Sequence, residues 1–265
     1  MTLIEFFGLK VKPQITKGKR VFAPLYSQRI NENIYAMRDK DCNAFIYKKD
    51  NGIIAIDCGY KNSPNIPNAL HELKLSANDV TGLFLTHLDL DHAGGIDEHS
   101  VQLYPKAKVY LGKLEEGYLN CKLFRKRLLF IGLKTPIKLK KGYQLLDDGQ
   151  TVMVSNIKVK AILIPGHTLG HLCYLVDDKY LFTGDALLLV QGVGYAFYTM
   201  WNVNTNLLQE SLTRLCELKD IEMIITAHSG YTTDIKSAFL HIDTSPDWKE
   251  KGYKINDNAI INPYE

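Results

Sequence analysis

No run of apolar residues in this chain approaches the ~20 needed to cross a bilayer. The opening residues, Met1-Thr2-Leu3-Ile4-Glu5-Phe6-Phe7-Gly8, include Glu5 and have neither a basic start nor a long apolar stretch. That pattern predicts no membrane span and no secretory signal, and points to a cytoplasmic protein. Paired cysteines are missing as well: Cys42, Cys58, Cys121, Cys173 and Cys216 are odd in number and scattered. They read as thiols of a reducing compartment and exclude a disulfide framework. A large excess of one charge sign is missing, with 32 Lys and Arg against 29 Asp and Glu for a net +3 over 265 residues, so there is no global case for nucleic-acid binding. No Gly-x-x-x-x-Gly-Lys-Ser/Thr loop is present to cradle a phosphate. No linker divides the chain, and 46% hydrophobic residues suffice for a full core, so residues 1–265 are expected to form a single domain.

Clusters of metal-ligating side chains stand out against this background. An apolar strand, Gly82-Leu83-Phe84-Leu85, leads into Thr86-His87-Leu88-Asp89-Leu90-Asp91-His92-Ala93-Gly94-Gly95. In an extended exit from the strand, His87, Asp89 and Asp91 share a side while Leu88 and Leu90 anchor the turn. Imidazole and carboxylate suit Zn, Fe and Mn, and two pairs in one loop suit two adjacent metals better than one. The same layout recurs further along the chain. Ala161-Ile162-Leu163-Ile164-Pro165-Gly166-His167 ends a strand with a His, Lys179–Asp185 ends one with Gly184-Asp185, and Ile221–Gly230 ends one with His228. One buried His or Asp is usually a satisfied core residue, but four such strand ends together point to a binuclear centre.

The series resembles the metallo-β-lactamase fold superfamily, with its order of His-x-His-x-Asp-His, Gly-His, Gly-Asp and a last His; the resemblance spans His87 to His228. It implies that His87, Asp89 and His167 hold a first metal, that Asp91, His92 and His228 hold a second, and that Asp185 bridges them. His171 matches a residue that supports the site from behind the ligands. The resemblance also implies two divalent ions per chain, zinc by family habit, and a four-layer αββα sandwich, an α+β fold, with the site at one edge of two sheets.

Asp89 departs from the pattern, since most of the family carries His there. Asp89, Asp91, Asp185 and a bridging hydroxide sum to four negative charges, enough to neutralise two divalent cations. The added anion favours harder ions, so Fe or Mn competes with Zn in this reading.

Other elements follow from periodicity and turn chemistry. Strands are expected at 33–37, 43–47 and 52–57, the last two joined by a turn at Asp50-Asn51-Gly52. A helix should start at Ser63, with Ser63 as cap and Pro64 in the first turn. A run of strands covers roughly 151–182. Asn206 to Lys219 should be a helix with Leu208, Leu212, Leu215 and Leu218 on one face.

Two segments bear on substrate choice. Residues from about 113 to 141 read as a basic helical insertion, with no acid between Lys122 and Lys141; it is either a solvated helix packed on the domain or a cover that attracts anions. The aromatic loop Gly192–Asn202 either lines a pocket or fills a corner of the core. Within it Tyr195 or Tyr198 is a candidate for bonding a substrate carbonyl, by resemblance to lactone-opening members.

The expected activity is metal-dependent hydrolysis of a small-molecule ester or lactone, by attack of the bridging hydroxide with Asp91 orienting it or moving its proton. Two other activities stay open: a diiron oxidoreductase related to flavodiiron proteins, and a phosphodiesterase or nuclease.

Overall fold

The computed structural model describes residues 1–128, 131–140 and 142–246. Two sheets stack face to face, each covered on its outer side by helices. The first sheet contains β1 (Gln28–Arg29), β2 (Ile34–Asp39), β3 (Cys42–Lys49), β4 (Gly52–Ile56), β5 (Gly82–Phe84), β6 (Lys108–Gly112) and β7 (Gln144–Leu146), in that spatial order. It is antiparallel as far as β4 and parallel from β4 to β7. The second contains β8 (Thr151–Val154), β9 (Ile157–Leu163), β10 (Leu172–Val176), β11 (Tyr180–Phe182), β12 (Met223–Thr226) and β13 (Gly230–Thr232), with β11 and β12 parallel.

The central strands are apolar throughout because both of their faces are buried. In β3, Ala44 and Ile46 point to the outer helix layer while Phe45 and Tyr47 point to the opposite sheet. In β10, Tyr174 and Val176 face the first sheet, and Cys173 and Leu175 face the helix behind. Between the sheets Phe84 stacks on Tyr110 with ring centres 4.5 Å apart and meets Tyr174 edge-on. This is the expected αββα sandwich.

The outer layers hold the helices Asn65–Glu72 and Thr205–Leu212. The first begins two residues later than Ser63, because that hydroxyl is engaged elsewhere: Ser63 Oγ donates to Asp39 at 2.6 Å and only weakly receives the Asn65 N–H, at 3.3 Å. The second is capped by Asn204, whose side chain accepts the Leu207 N–H at 3.1 Å. It tightens into a 3₁₀ turn at Thr213–Glu217, with Leu208, Leu212 and Leu215 fully buried.

The segment expected to be a basic helical insertion is not one. After a short helical turn at Glu116–Leu119 the chain bends at Cys121, with φ 61°, and forms a hairpin of Lys126–Leu128 with Ile131–Leu133. Part of the expected insertion, at 129–130 and 141, lies outside the described residues. The basic residues of this segment concealed its strand signal. Among the described residues no helix is long and apolar enough to cross a membrane.

Candidate metal centre

Each cluster predicted from the sequence arrives at the same edge of the sandwich. His87 follows β5, His167 follows β9, Asp185 follows β11 and His228 follows β12. Asp91 and His92 lie in the single turn Leu90–Ala93, and Leu88 and Leu90 are buried beneath it as expected. Two glycines make the crowding possible. Gly94 packs so close to the Lys61 backbone nitrogen that a Cβ would lie 2.2 Å from it, and Gly184, at φ +50°, packs against Thr86, where a Cβ would lie 2.8 Å from the side chain.

Asp185 stands at the centre of the cluster and divides its oxygens. Oδ1 lies 3.2 Å from His92 Nε2 and 3.2 Å from His228 Nε2, while Oδ2 lies 3.4 Å from His167 Nε2 and 3.9 Å from His87 Nε2. Two triads of potential ligands result: His87, His167 and Asp185, and Asp91, His92 and His228. The Nε2 atoms of His87, His92 and His228 and Oδ1 of Asp185 are buried without a hydrogen-bond partner. Orphaned polar atoms of this kind are rare and costly. Here they converge within reach of common points, so the donor set fits divalent cations.

The Nδ1 atoms of His87, His92, His167 and His228 are all engaged, which fixes these rings. His87 Nδ1 contacts Thr86 Oγ1 at 3.0 Å, His92 Nδ1 contacts Asp57 Oδ2 at 2.8 Å, and His167 Nδ1 contacts Asn202 Oδ1 at 3.2 Å. His228 Nδ1 bonds the Asp41 carbonyl. His171 has a different role: its Nε2 accepts the Asp185 backbone N–H at 3.1 Å, so it braces the carboxylate from behind. Glu115 accepts the backbone N–H groups of Leu88 at 3.0 Å and Gly170 at 3.2 Å, tying two of the ligand loops together.

Two cations that the sequence reading did not single out reach the cluster. The Lys12 ammonium pairs with Asp91. Arg125 Nη2 lies 2.7 Å from Asp89 Oδ2 and 3.2 Å from His167 Nε2, and Nη1 bonds the His167 carbonyl. Asp89 Oδ2 in turn lies 3.3 Å from His167 Nε2 and 3.5 Å from His87 Nε2. The anion that Asp89 adds is therefore paired with a guanidinium.

Ionisation follows from these contacts. Burial opposes the charge on Asp185, but His228 and His92 hold its carboxyl well below the usual range. Burial also opposes protonation of His228, yet Asp185 raises it to about 9. His167 is pushed down to about 4 by burial and by Arg125.

Above the cluster opens a cavity of about 650 Å³. Its floor includes Asp89, Asp91, His167 and Asp185, and its walls are mostly apolar, with Phe7, Val11, Leu133, Phe197 and Trp201 among them. Arg125 and Lys134 also line it, so the basic segment does reach the site. From the aromatic loop, Phe197, Met200 and Trp201 form the wall, whereas Tyr195 and Tyr198 are not among the lining residues. Tyr195 instead stacks on His241 at 5.1 Å, and Tyr198 packs on the core behind the second sheet. No sequence signal separated these tyrosines from their neighbours, because the loop carries aromatics at successive positions.

The model of the metallo-beta-lactamase superfamily matches residues 37–228. The chain belongs to that superfamily. A hydroxyacylglutathione hydrolase of Salmonella paratyphi A is 33% identical over 156 residues, covering 59% of this chain and 51% of the relative. A probable polyketide biosynthesis zinc-dependent hydrolase of Bacillus velezensis is 31% identical, covering 58% of this chain and 57% of the relative. The chain thus spans about half the length of the curated relatives it matches. Among solved structures, a subclass B3 metallo-beta-lactamase with an active-site glutamic acid superposes with a TM-score of 0.60 at 19% identity, covering 83% of this chain and 87% of that one. An archaeal superfamily protein from Sulfolobus tokodaii gives 0.57 at 22% identity, covering 77% and 82%. These metallo-beta-lactamase likenesses agree with the two-sheet sandwich.

Proposed function

We propose that this superfamily member is a binuclear metal-dependent hydrolase acting on an ester, lactone or thioester carbonyl of a small molecule. The observation that carries the reading is the set of orphaned Nε2 atoms facing the divided Asp185 carboxylate at the floor of an apolar cavity. His87, His167 and Asp89 would hold one ion, Asp91, His92 and His228 the other, and Asp185 both. When bound, the ions acidify water and polarise a carbonyl.

The chain's own residues do the rest. Asp91, between His92, His228 and the Lys12 ammonium, is placed to orient water and take its proton. Arg125 and Lys12 set positive charge beside the oxygen on which negative charge develops. Phe7, Phe197 and Trp201 exclude bulk water, and the apolar walls favour an acyl compound over a polynucleotide. Tyr198 keeps no part in this proposal.

Zinc is the proposed native metal, because the cluster offers four imidazoles and Arg125 offsets Asp89. Metal analysis of protein purified without added metal should then give zinc at both sites; stoichiometric iron or manganese would overturn this. A cytoplasmic location is supported by the cysteines, all five of which are free thiols, with Cys42, Cys58 and Cys173 buried.

Activity on p-nitrophenyl esters, lactones and acyl thioesters, beside bis(p-nitrophenyl) phosphate, tests the reaction class. Carbonyl substrates should be cleaved, and Asp185→Ala should abolish turnover with an unchanged circular dichroism spectrum. Cleavage of the phosphodiester alone would replace the reading with a phosphodiesterase.

A further inference from the structure

The helical stretch from Phe7 to Thr16 separates two cavities. Phe7, Val11 and Lys12 face the metal centre, while Lys10, Pro13, Gln14 and Lys17 face a second cavity of about 620 Å³. The spacing of the latter four, i, i+3, i+4 and i+7, is that of one side of a helix. Across from them stand Arg38 and Lys40, at the β2–β3 turn, and the helix Asn65–Glu72.

The charge of this second cavity is one-sided. Lys10, Lys17, Arg38 and Lys40 line it against only Asp41 and Glu72. Asp41 is buried and its oxygens are already engaged, Oδ2 by the Thr16 hydroxyl at 2.9 Å and Oδ1 by the Tyr60 hydroxyl at 2.7 Å, so no ion pair joins it to the lysines of this cavity among the described residues. Lys10 and Lys17 are exposed and have no ion pair among the described residues. The opposite wall is already organised. Lys40 Nζ donates to the Leu9 carbonyl at 3.3 Å and lies 4.2 Å from the Tyr60 ring centre. Arg38 Nε donates to the Lys40 carbonyl at 3.2 Å, and its guanidinium lies 5.1 Å from the Tyr26 ring centre.

Four cations outnumber the two anions of this cavity, which leaves it net positive until a further anion enters. A guanidinium together with several ammonium groups suits a phosphate ester, whose oxygens accept several charged donors at once. We propose that this cavity is a binding site for a small, multiply charged phosphate ester, distinct from the metal centre. Its occupant would also steady the metal site, because Thr16 Oγ1 joins Asp41 to the Lys12 carbonyl at 2.8 Å and Lys12 pairs with Asp91.

Calorimetric titration of metal-loaded protein with phosphoenolpyruvate, with pyruvate as the control lacking the phosphate, tests the site. Saturable binding of phosphoenolpyruvate alone is expected. It should weaken about tenfold or more in Lys17→Glu and in Arg38→Gln, as loss of a charge-assisted bond implies. It should change less than about twofold in Lys134→Glu, which alters the wall of the other cavity. Lys17 is exposed, so its variant folds, and circular dichroism checks both. Binding lost in Lys134→Glu and kept in Lys17→Glu would place the anion at the metals and overturn the proposal. So would absence of binding by the wild type at millimolar ligand.

Discussion

Asp57 adopts φ 57°, a left-handed conformation unusual for a residue with a side chain. It is held there by its own bonds: Oδ1 accepts the Thr86 N–H at 2.8 Å, and Oδ2 meets the Thr86 hydroxyl at 2.8 Å and His92 Nδ1 at 2.8 Å. Removing such an orienting carboxylate typically costs about 10–100-fold in metal affinity. Asp57→Ala should therefore lose zinc to a competing chelator at correspondingly lower chelator concentration, while its fold is kept; unchanged affinity would show that the His92 ring is fixed by packing alone. The candidate ligands were legible in the sequence because each ends an apolar strand beside a glycine or lies within the Asp-x-Asp-His loop. Asp57, Glu115 and Asn202 were not, since each is a lone polar residue whose partner lies tens of positions away. Lys12 escaped for the same reason; Arg125 stood in the basic run Arg125-Lys126-Arg127, where nothing marked it as the residue that would pair with Asp89.

Among the elements, those with a clear apolar period were read well and those that depend on a long-range partner were not. The helix Thr205–Leu212 was visible in its leucines, and Leu208 is fully buried against the second sheet. Leu208→Ala should cost ~2–5 kcal/mol in urea unfolding, the range for a cavity in a packed core; a loss below ~1 kcal/mol would mean that the layer collapses to fill the space. The hairpin Lys126–Leu128 with Ile131–Leu133 was hidden by its charge. The turn after β10 joins the sheets by a device that no local pattern shows. Asp177 accepts bonds from Tyr47 OH and Lys49 Nζ of the first sheet, both at 2.8 Å, and from the Lys158 N–H of the second at 2.9 Å. Burial works against its charge, but Lys49, the Lys158 N–H and Tyr47 hold its carboxyl below the usual value. A depressed carboxyl adds stability above the unfolded-state pKa of about 3.9, and that stability fades as pH falls through the lower folded value. The wild type should thus exceed Asp177→Asn in urea midpoint at neutral pH, with the gap narrowing below about pH 4. A gap independent of pH would assign the effect to hydrogen bonding without charge.

At the scale of the whole molecule, the layer order was available from the resemblance and from the alternation within the strands, but the cavities were not. The walls of the cavity over the metal cluster combine the first residues of the chain, Leu133 and Lys134, and the loop at 197–201, segments whose meeting depends on the finished sandwich. The ligands are likewise shared: His87, Asp91 and His92 follow the first sheet, and His167, Asp185 and His228 come from the second. Asp185 is the single side chain that addresses both triads, one oxygen to each. A first ion would hold Asp185 in the rotamer that a second ion needs, and would spare the second the entropy of ordering that carboxylate. Loading with zinc should be cooperative, so that sub-stoichiometric metal yields a mixture of empty and doubly loaded chains in native mass spectrometry. A dominant singly loaded species would show that the two positions fill independently. Occupancy in the cell would then respond to zinc supply as a switch with a threshold, and a chain short of metal would be idle instead of half active.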